Sequence, residues 1–554
     1  MSRFLAMLLD SATQSQHAMT TGDPHTPVRR TWPEVHALAR RHAAELVAGT
    51  DTAAGIRPGT TVAILAGEPA TIAPVAQAVW LTGGSITMLH QPTARTDLAV
   101  WAQDTVRVLR MIDAELVLLG APFERLAPVL KEHGIAFRLL GEPTAAPDDF
   151  QPDAAVAGED DTALLQLTSG STAHPKAVRI THGNLYANVT AMVEASCLSD
   201  DDVMISWLPL FHDMGMVGFL TVPMVTGLEL VKVTPADFLG RPLLWAELIS
   251  KYRGTVTAAP NFAYAVLARQ LARAEDGSLD LSSLRIALNG AEPIDPGTVE
   301  AFTAAGARFG LRPESVLCAY GMAETALAVS FAPVEKGMEV DVVDADALEL
   351  RRRAEPASGG AVRRFPKLGP PLPGLEVRVV GDDGRVLGDR EVGVLQLRGE
   401  SVTPGYLTVD GPLPAQDADG WFDTGDEGYL VDGNVVVCGR RKDVIIMGGR
   451  NVYPTDIERA AETADGVRAG NTVAVRLDAG EDRRRESFAV VVESRQAGDA
   501  EAERAIKKDV IARVVSAVGV RPAEVVVVGP GSLPKTPSGK LRRAATRELL
   551  TRRE

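Results

Sequence analysis

The chain has few cysteines and no long apolar run, and each absence excludes a class of protein. Only Cys197, Cys318 and Cys438 occur among 554 residues. Three thiols so far apart give neither a disulfide framework nor a zinc site, and we expect each of them in the core. The N-terminal stretch MSRFLAMLLDSATQSQ lacks the long apolar region and the cleavage site of a signal peptide. The sequence therefore predicts a cytoplasmic protein with no integral membrane segment.

An excess of positive charge is also missing. The chain carries 57 lysines and arginines against 72 aspartates and glutamates, a net charge of −15. Because nucleic-acid binding needs a basic surface that neutralises phosphates, this balance excludes a general nucleic-acid partner. Local basic clusters, at 351–353, at 483–485 and in the tail 540–553, are most simply solvated surface, with a dock for an acidic partner as the alternative.

The length and the strand pattern indicate an α/β protein of more than one domain. Single cores stop growing at about 250 to 300 residues, so this chain requires at least two. Short apolar segments alternate with helical stretches, which predicts a largely parallel sheet covered by helices. Thr31 followed by Pro33 predicts the start of one of these helices. The apolar segments are TVAILAG (61–67), AELVLLG (114–120), TALLQLT (162–168), LRIALNG (284–290) and VLCAYG (316–321).

The pattern changes after Pro370. Hairpin sequences such as LEVRVVGDDGRVLG predict a small β-rich unit at the end of the large region. The strands NTVAVRLD, SFAVVVES and EVVVVGPG, with a helix around AIKKDVIARVVSAVG, then predict an α+β domain of roughly a hundred residues. We place the boundary between Arg441 and Lys442, which gives an N-terminal domain 1–441 and a C-terminal domain 442–554.

The stretch LQLTSGSTAHPKAV (165–178) predicts a strand that runs into an anion-binding loop. Small and hydroxylated residues let backbone and hydroxyl donors converge on phosphate oxygens, and a lysine follows them. The spacing is not that of a Walker loop, since the lysine follows a proline. An ordinary surface loop is the alternative at this point. The residues concerned are Thr168, Ser169, Gly170, Ser171, Thr172 and Lys176.

Four further motifs follow this loop along the chain: YGMAET (320–325), WFDTGD (421–426), GRRKD (439–443) and PKTPSGK (534–540). In this order, and over nearly the whole chain, they resemble the adenylate-forming enzymes, the superfamily of acyl-CoA synthetases, luciferases and peptide-synthetase adenylation domains. The resemblance implies a large N-terminal domain of two α/β subdomains plus a small β-rich one, and a small mobile α+β lid. It also implies that ATP and a carboxylate give acyl-AMP and pyrophosphate, after which a thiol accepts the acyl group.

The resemblance assigns roles to four charged residues. Lys540 matches the catalytic lysine between the α-phosphate and the attacking carboxylate, and Glu324 matches the glutamate that binds Mg²⁺. Asp426 and Arg440 match contacts to the ribose and phosphates. A carboxylate is already ionised at neutral pH and needs no general base, so such a site works by positioning and by neutralising charge. Without the motifs, Lys540 and Glu324 would be ordinary solvated residues.

The same resemblance implies the rest of the nucleotide site. Lys176 and its loop would hold the β- and γ-phosphates that leave as pyrophosphate. Lys442 falls at the hinge about which the small domain swings between the two half-reactions. The base and its surroundings would be lined by Tyr320, Gly321, Gly290, Ala291 and Glu292.

Two stretches, SWLPLFHDMGMVG (206–218) and GRNVYPTDIE (449–458), resemble the fatty acyl-AMP ligases more than general acyl-CoA synthetases. In that family a histidine, here His212, lies beside the acyl carboxylate and adenylate. The segment between Glu324 and Gly369 resembles the insertion of these ligases, which hinders the domain motion needed for CoA transfer. The implied substrates are a medium- or long-chain fatty acid and the phosphopantetheine arm of an acyl carrier protein. From the residues alone, a buried histidine and a tolerated surface insertion are the alternatives.

Four more stretches resemble the acyl carrier protein ligases of mycobactin siderophore biosynthesis: WPEVHALA (32–39), AAPNFAY (258–264), LRIALNGAEPID (284–295) and GPGSLPKTPSGKLRR (529–543). One residue departs from the superfamily pattern. Ala177 stands where the phosphate loop of most relatives has glycine, and its methyl group is expected to crowd that loop.

Two other functions stay open at the level of sequence. A long-chain acyl-CoA synthetase would share the first half-reaction and differ in the thiol acceptor. A non-catalytic protein that binds nucleotide or acyl-adenylate would keep the fold, but it has no need of Lys540.

Overall fold

The structure is a computed structural model that describes residues 1–49, 54–93, 96–153, 156–168, 175–447, 450–477, 487–536 and 539–551. Contacts between residues divide the chain into two compact units. The first comprises Met1–Met338, Gly369–Glu376 and Arg398–Phe422, and the second Glu339–Leu368, Val377–Leu397 and Asp423–Glu554. This division follows from packing contacts. The predicted boundary at Lys442 is a hinge between moving parts, which packing contacts do not test, so it stays a prediction.

The strands of the described residues are, in chain order, β1 Ala18–Thr21, β2 Val28–Thr31, β3 Thr61–Leu65, β4 Ser85–Met88, β5 Leu116–Leu119, β6 Phe137–Leu139, β7 Thr162–Thr168, β8 Lys176–Thr181, β9 Val203–Ser206, β10 Glu229–Lys232, β11 Val256–Ala259, β12 Ile286–Asn289, β13 Val316–Gly321, β14 Ala328–Phe331, β15 Val340–Asp344, β16 Val362–Pro366, β17 Leu375–Val380, β18 Gly393–Gly399, β19 Gly405–Thr408, β20 Gly411–Pro414, β21 Phe422–Val431, β22 Asn434–Arg440, β23 Ile445–Met447, β24 Arg450–Val452, β25 Thr472–Leu477, β26 Ser487–Glu493 and β27 Glu524–Val528.

The α-helices of the same residues are α1 Arg3–Gln14, α2 Trp32–Ala48, α3 Pro69–Leu81, α4 Leu98–Met111, α5 Ala127–Glu132, α6 His182–Ala195, α7 Val222–Thr226, α8 Pro235–Gly240, α9 Leu244–Tyr252, α10 Asn261–Leu271, α11 Pro296–Gly306, α12 Ala345–Arg351, α13 Pro454–Glu462, α14 Ala500–Val518 and α15 Arg543–Thr551. Met214–Thr221 is π-helical. Short 3₁₀ turns lie at Glu124–Leu126, Pro147–Asp149, Ala307–Phe309, Pro313–Ser315, Ala323–Thr325 and Arg441–Asp443.

Helix α2 begins where the sequence predicts. The Thr31 hydroxyl accepts from the backbone N–H of Glu34, and the Glu34 carboxylate accepts from the backbone N–H of Thr31. This capping box satisfies two backbone donors that a helix start otherwise leaves open. The start of the helix is therefore encoded locally.

The first unit contains two eight-stranded sheets rather than the single sheet that the alternation suggests. One has the order β14-β13-β12-β11-β9-β10-β1-β2, and its strands from β13 to β1 run parallel. The other has the order β20-β19-β8-β7-β4-β3-β5-β6, with β8 antiparallel to both β7 and β19. The α/β class is confirmed, and the five predicted strand segments all form strands.

The second unit is built from smaller sheets. Strands β15 and β16 form an antiparallel pair, with α12 between them in the chain, and β17-β18-β21-β22 form a four-stranded sheet that lies mostly in this unit. Strands β25, β26 and β27 form a three-stranded sheet against which α13 and α14 pack. Its core includes Ile457, Phe488, Val490, Ile506 and Val510, all fully or almost fully buried. The predicted α+β organisation of the C-terminal region is confirmed.

The cysteines follow the sequence prediction in part. Cys318 and Cys438 are buried, but Cys197 is exposed, because it follows the end of α6 in the left-handed conformation. The expectation that all three lie in the core is therefore wrong for Cys197. In the described ranges, no helix combines the length and the apolar character that crossing a bilayer requires.

Candidate active site

The carboxyl ends of the parallel strands in the first sheet carry several of the predicted residues. Strand β12 leads directly into Gly290, and β13 contains Tyr320 and ends at Gly321. Strand β9 leads into the turn that carries His212. Carboxyl ends of parallel strands share one edge of a sheet, where α/β proteins bind their ligands.

The segment 290–292 has an unusual backbone. Ala291 has φ +67°, and a Cβ on Gly290 would lie 3.1 Å from the Ala319 carbonyl oxygen. The Glu292 carboxylate accepts from the backbone N–H of Phe262 at 2.6 Å, so it is engaged at the start of α10. The segment thus forms a tight, strained turn at the edge of the sheet, as segments at many ligand sites do.

Tyr320, Gly321 and Glu324 lie together at the end of β13. A Cβ on Gly321 would approach the Leu327 carbonyl oxygen to 2.3 Å, so only glycine fits there without a shift of the backbone. The strand register breaks between Tyr320 and Gly321, and Glu324 lies in the 3₁₀ turn that follows. Bulges of this kind redirect side chains beside functional sites.

The predicted phosphate loop connects two antiparallel strands. Thr168 ends β7 and lies directly opposite Lys176, the first residue of β8. Ser169, Gly170, Ser171 and Thr172 lie outside the described residues. Ala177 is fully buried and packs in a hydrophobic cluster that includes Leu167. Neighbouring strand residues face opposite sides, so its methyl group lies on the side away from Lys176.

Tyr406 contacts two of the predicted residues, Glu324 and Lys176, and no sequence motif indicates it. Its hydroxyl donates to Glu324 Oε1 at 3.0 Å, and Lys176 Nζ lies 5.3 Å from the centre of its ring. The backbone N–H of Thr403 also donates to the Glu324 carbonyl at 2.7 Å. Only the pairing of β19 with β8 places Tyr406 here, so no local pattern could have shown it.

His212 is oriented by its neighbour in the chain. Its Nδ1 lies 2.6 Å from Asp213 Oδ1, and the backbone N–H of Met214 is directed at the same nitrogen at 3.3 Å. His90 follows the end of β4 and contacts Phe211 with ring centres 5.5 Å apart. Burial, with a smaller contribution from His212, lowers the pKa of His90 to about 4, so it is neutral at physiological pH.

The two sheets of the first unit meet at the turn that carries His212. The Gln166 side chain on β7 donates to the Phe211 carbonyl at 3.0 Å. Lys232, at the carboxyl end of β10, donates to the Leu208 carbonyl at 2.9 Å and to Ser206 Oγ at 3.2 Å. Buried polar groups of this kind fix a turn when their hydrogen bonds are satisfied. The turn is therefore held from both sheets.

Asp426 and Arg440 form a pair in the second unit. They lie opposite each other in β21 and β22, with Arg440 Nε 2.7 Å from Asp426 Oδ1. The Asp426 side chain is almost buried, whereas that of Arg440 is half exposed. The structure thus brings together the two residues that the resemblance assigns to ribose and phosphate.

Lys442 and Lys540 also belong to the second unit. Lys442 lies in the 3₁₀ turn after β22, where burial, as the main cause, lowers its pKa. The backbone N–H of Lys540 donates to Thr536 Oγ1 at 3.0 Å, and the Lys540 carbonyl accepts from the backbone N–H of Thr536 at 2.7 Å. These two bonds join Thr536 to Lys540, and Pro537 and Ser538 between them lie outside the described residues.

The donor set suits Mg²⁺ better than a transition metal. The residues that the structure describes contain no group of three or more histidines, cysteines or carboxylates that could hold a metal ion. Mg²⁺ in nucleotide enzymes is held by one or two carboxylates, phosphate oxygens and water. Glu324, beside the phosphate-loop lysine, fits that pattern.

Three relatives are similar to this chain. A Mycobacterium tuberculosis protein with the provisional name of a ligase, Rv1013, is 57% identical over 554 residues and 100% of both chains. A protein of Caulobacter vibrioides, provisionally named an acyl-CoA synthetase, is 36% identical over 74% of this chain and 72% of its own. JamA of Moorena producens, a medium-chain-fatty-acid–[acyl-carrier-protein] ligase, is 36% identical over 73% of this chain and 70% of its own.

A solved structure and a family model cover the same chain. The structure, from a study of fatty acyl-adenylate ligases of E. coli and L. pneumophila, superposes with a TM-score of 0.88 at 30% identity over 100% of this chain and 98% of that one. The model of the AMP-binding enzyme family matches residues 10–407, well over half of the chain. The chain therefore belongs to the AMP-binding enzyme family and has its adenylate-forming fold.

Proposed function

We propose that this enzyme activates a medium- or long-chain fatty acid and transfers it to an acyl carrier protein. ATP and the fatty acid give acyl-AMP and pyrophosphate, and the phosphopantetheine thiol of the carrier then loses its proton and accepts the acyl group, with release of AMP. The names of JamA and of the solved fatty acyl-adenylate ligases support this substrate class. We place the reaction in the cytoplasm, in lipid biosynthesis or in siderophore biosynthesis of the mycobactin type.

In the first half-reaction a carboxylate oxygen bonds to the α-phosphorus, and the bond from that phosphorus to the β-phosphate oxygen breaks. The carboxylate is already ionised, so the enzyme contributes orientation and charge neutralisation. Lys176 and the loop after Thr168 hold the β- and γ-phosphates, and Tyr320 lies against the base. Mg²⁺, held by Glu324 together with phosphate oxygens, would supply further neutralisation of the phosphates.

The second unit supplies the remaining groups of this scheme. Asp426 accepts from the ribose hydroxyls, and its 2.7 Å pair with Arg440 orients the carboxylate. Lys540 neutralises the α-phosphate while the carboxylate attacks. Lys540 has to leave the α-phosphate before the carrier thiol reaches the acyl-AMP, because the two half-reactions share one site.

His212 has a separate role at the acyl carboxylate. Asp213 and the backbone N–H of Met214 both contact Nδ1, at 2.6 and 3.3 Å, and orient the ring through that nitrogen. We assign the contact with substrate to the other ring nitrogen, Nε2. We place this nitrogen beside the carboxylate and the mixed anhydride that it forms. The hydrogen bonds of Gln166 and Lys232 to the same turn fix its position.

One observation carries the choice of a carrier protein over CoA. The segment Glu339–Leu368 belongs to the second unit, and its buried Glu349 pairs with Arg363 and with Arg450, both at 2.5 Å. Arg363 in turn lies 3.0 Å from Asp456. Arg450 and Asp456 follow Lys442 in the chain, whereas Glu349 and Arg363 precede it. Rotation at Lys442 would have to break these buried pairs.

A second group of contacts also spans Lys442. Arg352 makes a bidentate pair with Glu427 at 3.0 and 3.1 Å, and the Tyr453 hydroxyl donates to the same carboxylate at 3.1 Å. Arg352 and Glu427 both precede Lys442, so rotation there would break the Tyr453 hydrogen bond and not this charge pair. The charge pairs that cross Lys442 are Glu349–Arg450 and Arg363–Asp456, and breaking a buried pair costs about 3 to 5 kcal/mol. Such a cost restricts the rotation that lets CoA enter, and it supports the reading of this segment as the insertion of fatty acyl-AMP ligases.

The basic cluster at 351–353 is not a free dock for an acidic carrier protein. Arg352 is engaged with Glu427, and Arg351 and Arg353 pair with Glu355 and Glu391. In the basic tail, Arg543 is mostly buried and pairs with Glu458 at 2.7 Å and with Asp443 at 3.3 Å. The cluster at 483–485 lies outside the described residues. Arg352 and Arg543 are therefore poor candidates for the dock, whereas the half-exposed Arg351 and Arg353 stay candidates because exposed ion pairs are weak.

A long-chain acyl-CoA synthetase is the second candidate, favoured by the name of the Caulobacter vibrioides relative. It shares the first half-reaction and differs only in the acceptor. Parallel reactions with CoA and with phosphopantetheinylated carrier protein separate the two. Efficient acyl-CoA formation would show that CoA, and not a carrier protein, is the acceptor.

The adenylation step is tested with Lys540→Ala and a matched control. Acyl-AMP is measured after addition of ATP, Mg²⁺ and fatty acids of different lengths, and thioester formation is measured separately from supplied acyl-AMP. Loss of a preorganised charge at the α-phosphate is expected to slow adenylation by roughly a hundredfold or more, with little effect on transfer. Lys535→Ala, five residues away and bonded to Asn471 at 2.9 Å, is expected to keep both rates.

Two results would contradict these assignments. If Lys540→Ala slows both half-reactions equally, the role of Lys540 at the α-phosphate is wrong. Absence of acyl-AMP with every fatty acid, in a protein that still binds ATP, would favour a non-catalytic nucleotide-binding protein.

A further inference from the structure

Tyr406 contacts two residues of opposite charge that the proposed function uses in different ways. Its hydroxyl donates to Glu324 Oε1 at 3.0 Å, and its ring lies 5.3 Å from Lys176 Nζ. A hydroxyl that donates to an ionised carboxylate fixes the direction of that carboxylate. An aromatic ring attracts an ammonium group within about 6 Å of its centre. One side chain can therefore orient both charges.

The fold gives Tyr406 this position through strand register. In the pairing of β19 with β8, Tyr406 lies opposite Val178 and Thr408 lies opposite Lys176. Residues two apart in a strand share a face, so Tyr406 and Lys176 are diagonal neighbours on one face. Leu407 lies opposite Ala177 and belongs to the other face, where both residues join the hydrophobic core.

The Glu324 turn is held from the same segment. Thr403, three residues before Tyr406, donates its backbone N–H to the Glu324 carbonyl at 2.7 Å. The backbone of the turn is thus fixed by Thr403 and its carboxylate by Tyr406. Removal of the Tyr406 hydroxyl leaves the backbone bond intact, so its effect is confined to the carboxylate.

We propose that Tyr406 is a positioning residue of the adenylation site, whose hydroxyl orients Glu324 for Mg²⁺ and whose ring holds Lys176 for the departing pyrophosphate. This inference rests on the proposed function, which assigns Glu324 to the metal and Lys176 to the phosphates. The two contacts use different parts of one side chain. They predict different consequences for two substitutions.

Tyr406→Phe removes the hydroxyl and keeps the ring, whereas Tyr406→Leu removes both. With the first variant, the Mg²⁺ concentration for half-maximal ATP binding is expected to rise roughly tenfold, because Glu324 loses a charge-assisted hydrogen bond. The affinity for pyrophosphate is expected to stay within about twofold. With the second variant, the Mg²⁺ requirement rises to the same extent and the pyrophosphate affinity also falls several-fold.

Both quantities are measured by titration calorimetry on the full-length protein without fatty acid, after thermal unfolding has confirmed that each variant is folded. Tyr252 provides the matched control, because Lys251 Nζ lies 5.0 Å from its ring at the end of α9. Tyr252→Phe and Tyr252→Leu are expected to leave both affinities unchanged. A merely structural tyrosine would lower the melting temperature without separating Mg²⁺ from pyrophosphate.

An unchanged Mg²⁺ requirement in Tyr406→Phe would overturn the role of the hydroxyl, and an unchanged pyrophosphate affinity in Tyr406→Leu would overturn the role of the ring. The proposed function fails in a different way. In that case the wild-type protein binds ATP with Mg²⁺ but forms no acyl-AMP, and the binding measurements on the Tyr406 variants still decide the inference.

Discussion

Lys232 shows how one buried residue connects stability to the candidate site. Its amine is fully buried and donates to Ser206 and to the Leu208 carbonyl, in the turn that carries His212. The described part of the chain contains no ion pair of Lys232. Burial therefore lowers its pKa from an ordinary value of 10.5 to about 7.

This pKa predicts a pH dependence of stability. Between about pH 7 and pH 10.5 the unfolded chain binds a proton at Lys232 that the folded protein does not, so the free energy of unfolding rises with pH. The slope approaches 1.4 kcal/mol per pH unit at most, by the usual linkage relation. Lys232→Met is expected to remove this contribution, as measured by denaturant unfolding at several pH values.

The exposed Lys251 provides the control for that experiment. Lys251→Met is expected to keep the pH dependence of the wild-type protein. An identical pH dependence in Lys232→Met and in the wild-type protein would mean that folding does not lower the pKa of Lys232.

Ala177 is the residue at which the sequence departs from the superfamily pattern. The structure places its methyl group in the core between Leu167 and Leu407, so we expect no crowding of the phosphate loop. Ala177→Gly is expected to lower the free energy of unfolding by about 1 to 2 kcal/mol, since it removes a buried methyl group and loosens a strand. The measurement is denaturant unfolding together with the adenylation rate, which is expected to change little.

Ala163→Gly, in the neighbouring strand β7 and equally buried, provides the comparison. A large increase in adenylation by Ala177→Gly alone would show that the methyl group does restrict the loop.

At the scale of elements, local patterns predicted much of the secondary structure. The cap at Thr31 and the strand segments were found as predicted, because each depends on residues close in sequence. The alternation of strands does not show the separation into two sheets, which depends on pairings such as β1 with β10 and β8 with β19, whereas the family resemblance did imply two α/β subdomains. Tyr406 was missed for the same reason. A site built through strand register is not visible in a motif.

The segment around α12 gives the sharpest prediction at this scale. Glu349→Gln leaves Arg363 and Arg450 without their buried carboxylate and is expected to lower the free energy of unfolding by about 3 kcal/mol. If the buried pairs restrict rotation at Lys442, the ratio of acyl-CoA to acyl-carrier product also rises. Unfolding and product ratios are measured on the same preparations.

Glu355→Gln is the matched control in the same segment. The Glu355 side chain is about half exposed and pairs with Arg351, the last residue of α12, so its loss is expected to cost less than about 1 kcal/mol and to leave the product ratio unchanged. An unchanged product ratio in Glu349→Gln, with the expected loss of stability, would mean that the buried pairs do not select the acceptor.

At the scale of the whole molecule, the two units divide the chemistry as the sequence motifs do. The first unit holds Lys176, Tyr406 and Glu324 in contact, and the second holds the Asp426–Arg440 pair and Lys540. The order of these motifs was readable from the sequence, because the residues that we propose for the chemistry lie in short conspicuous patterns. The choice between CoA and a carrier protein stayed open at the level of sequence, because the acceptor thiol leaves no such motif. The buried pairs of Glu349, which bear on that choice, join segments that are distant in sequence.

The most direct test of the proposed acceptor offers the enzyme CoA and carrier protein at the same time. Purified protein receives ATP, Mg²⁺ and a labelled fatty acid, together with equal concentrations of CoA and phosphopantetheinylated carrier protein, and the two thioesters are separated and counted. We predict that nearly all of the label passes through acyl-AMP to the carrier protein. Label found mainly in acyl-CoA would contradict it.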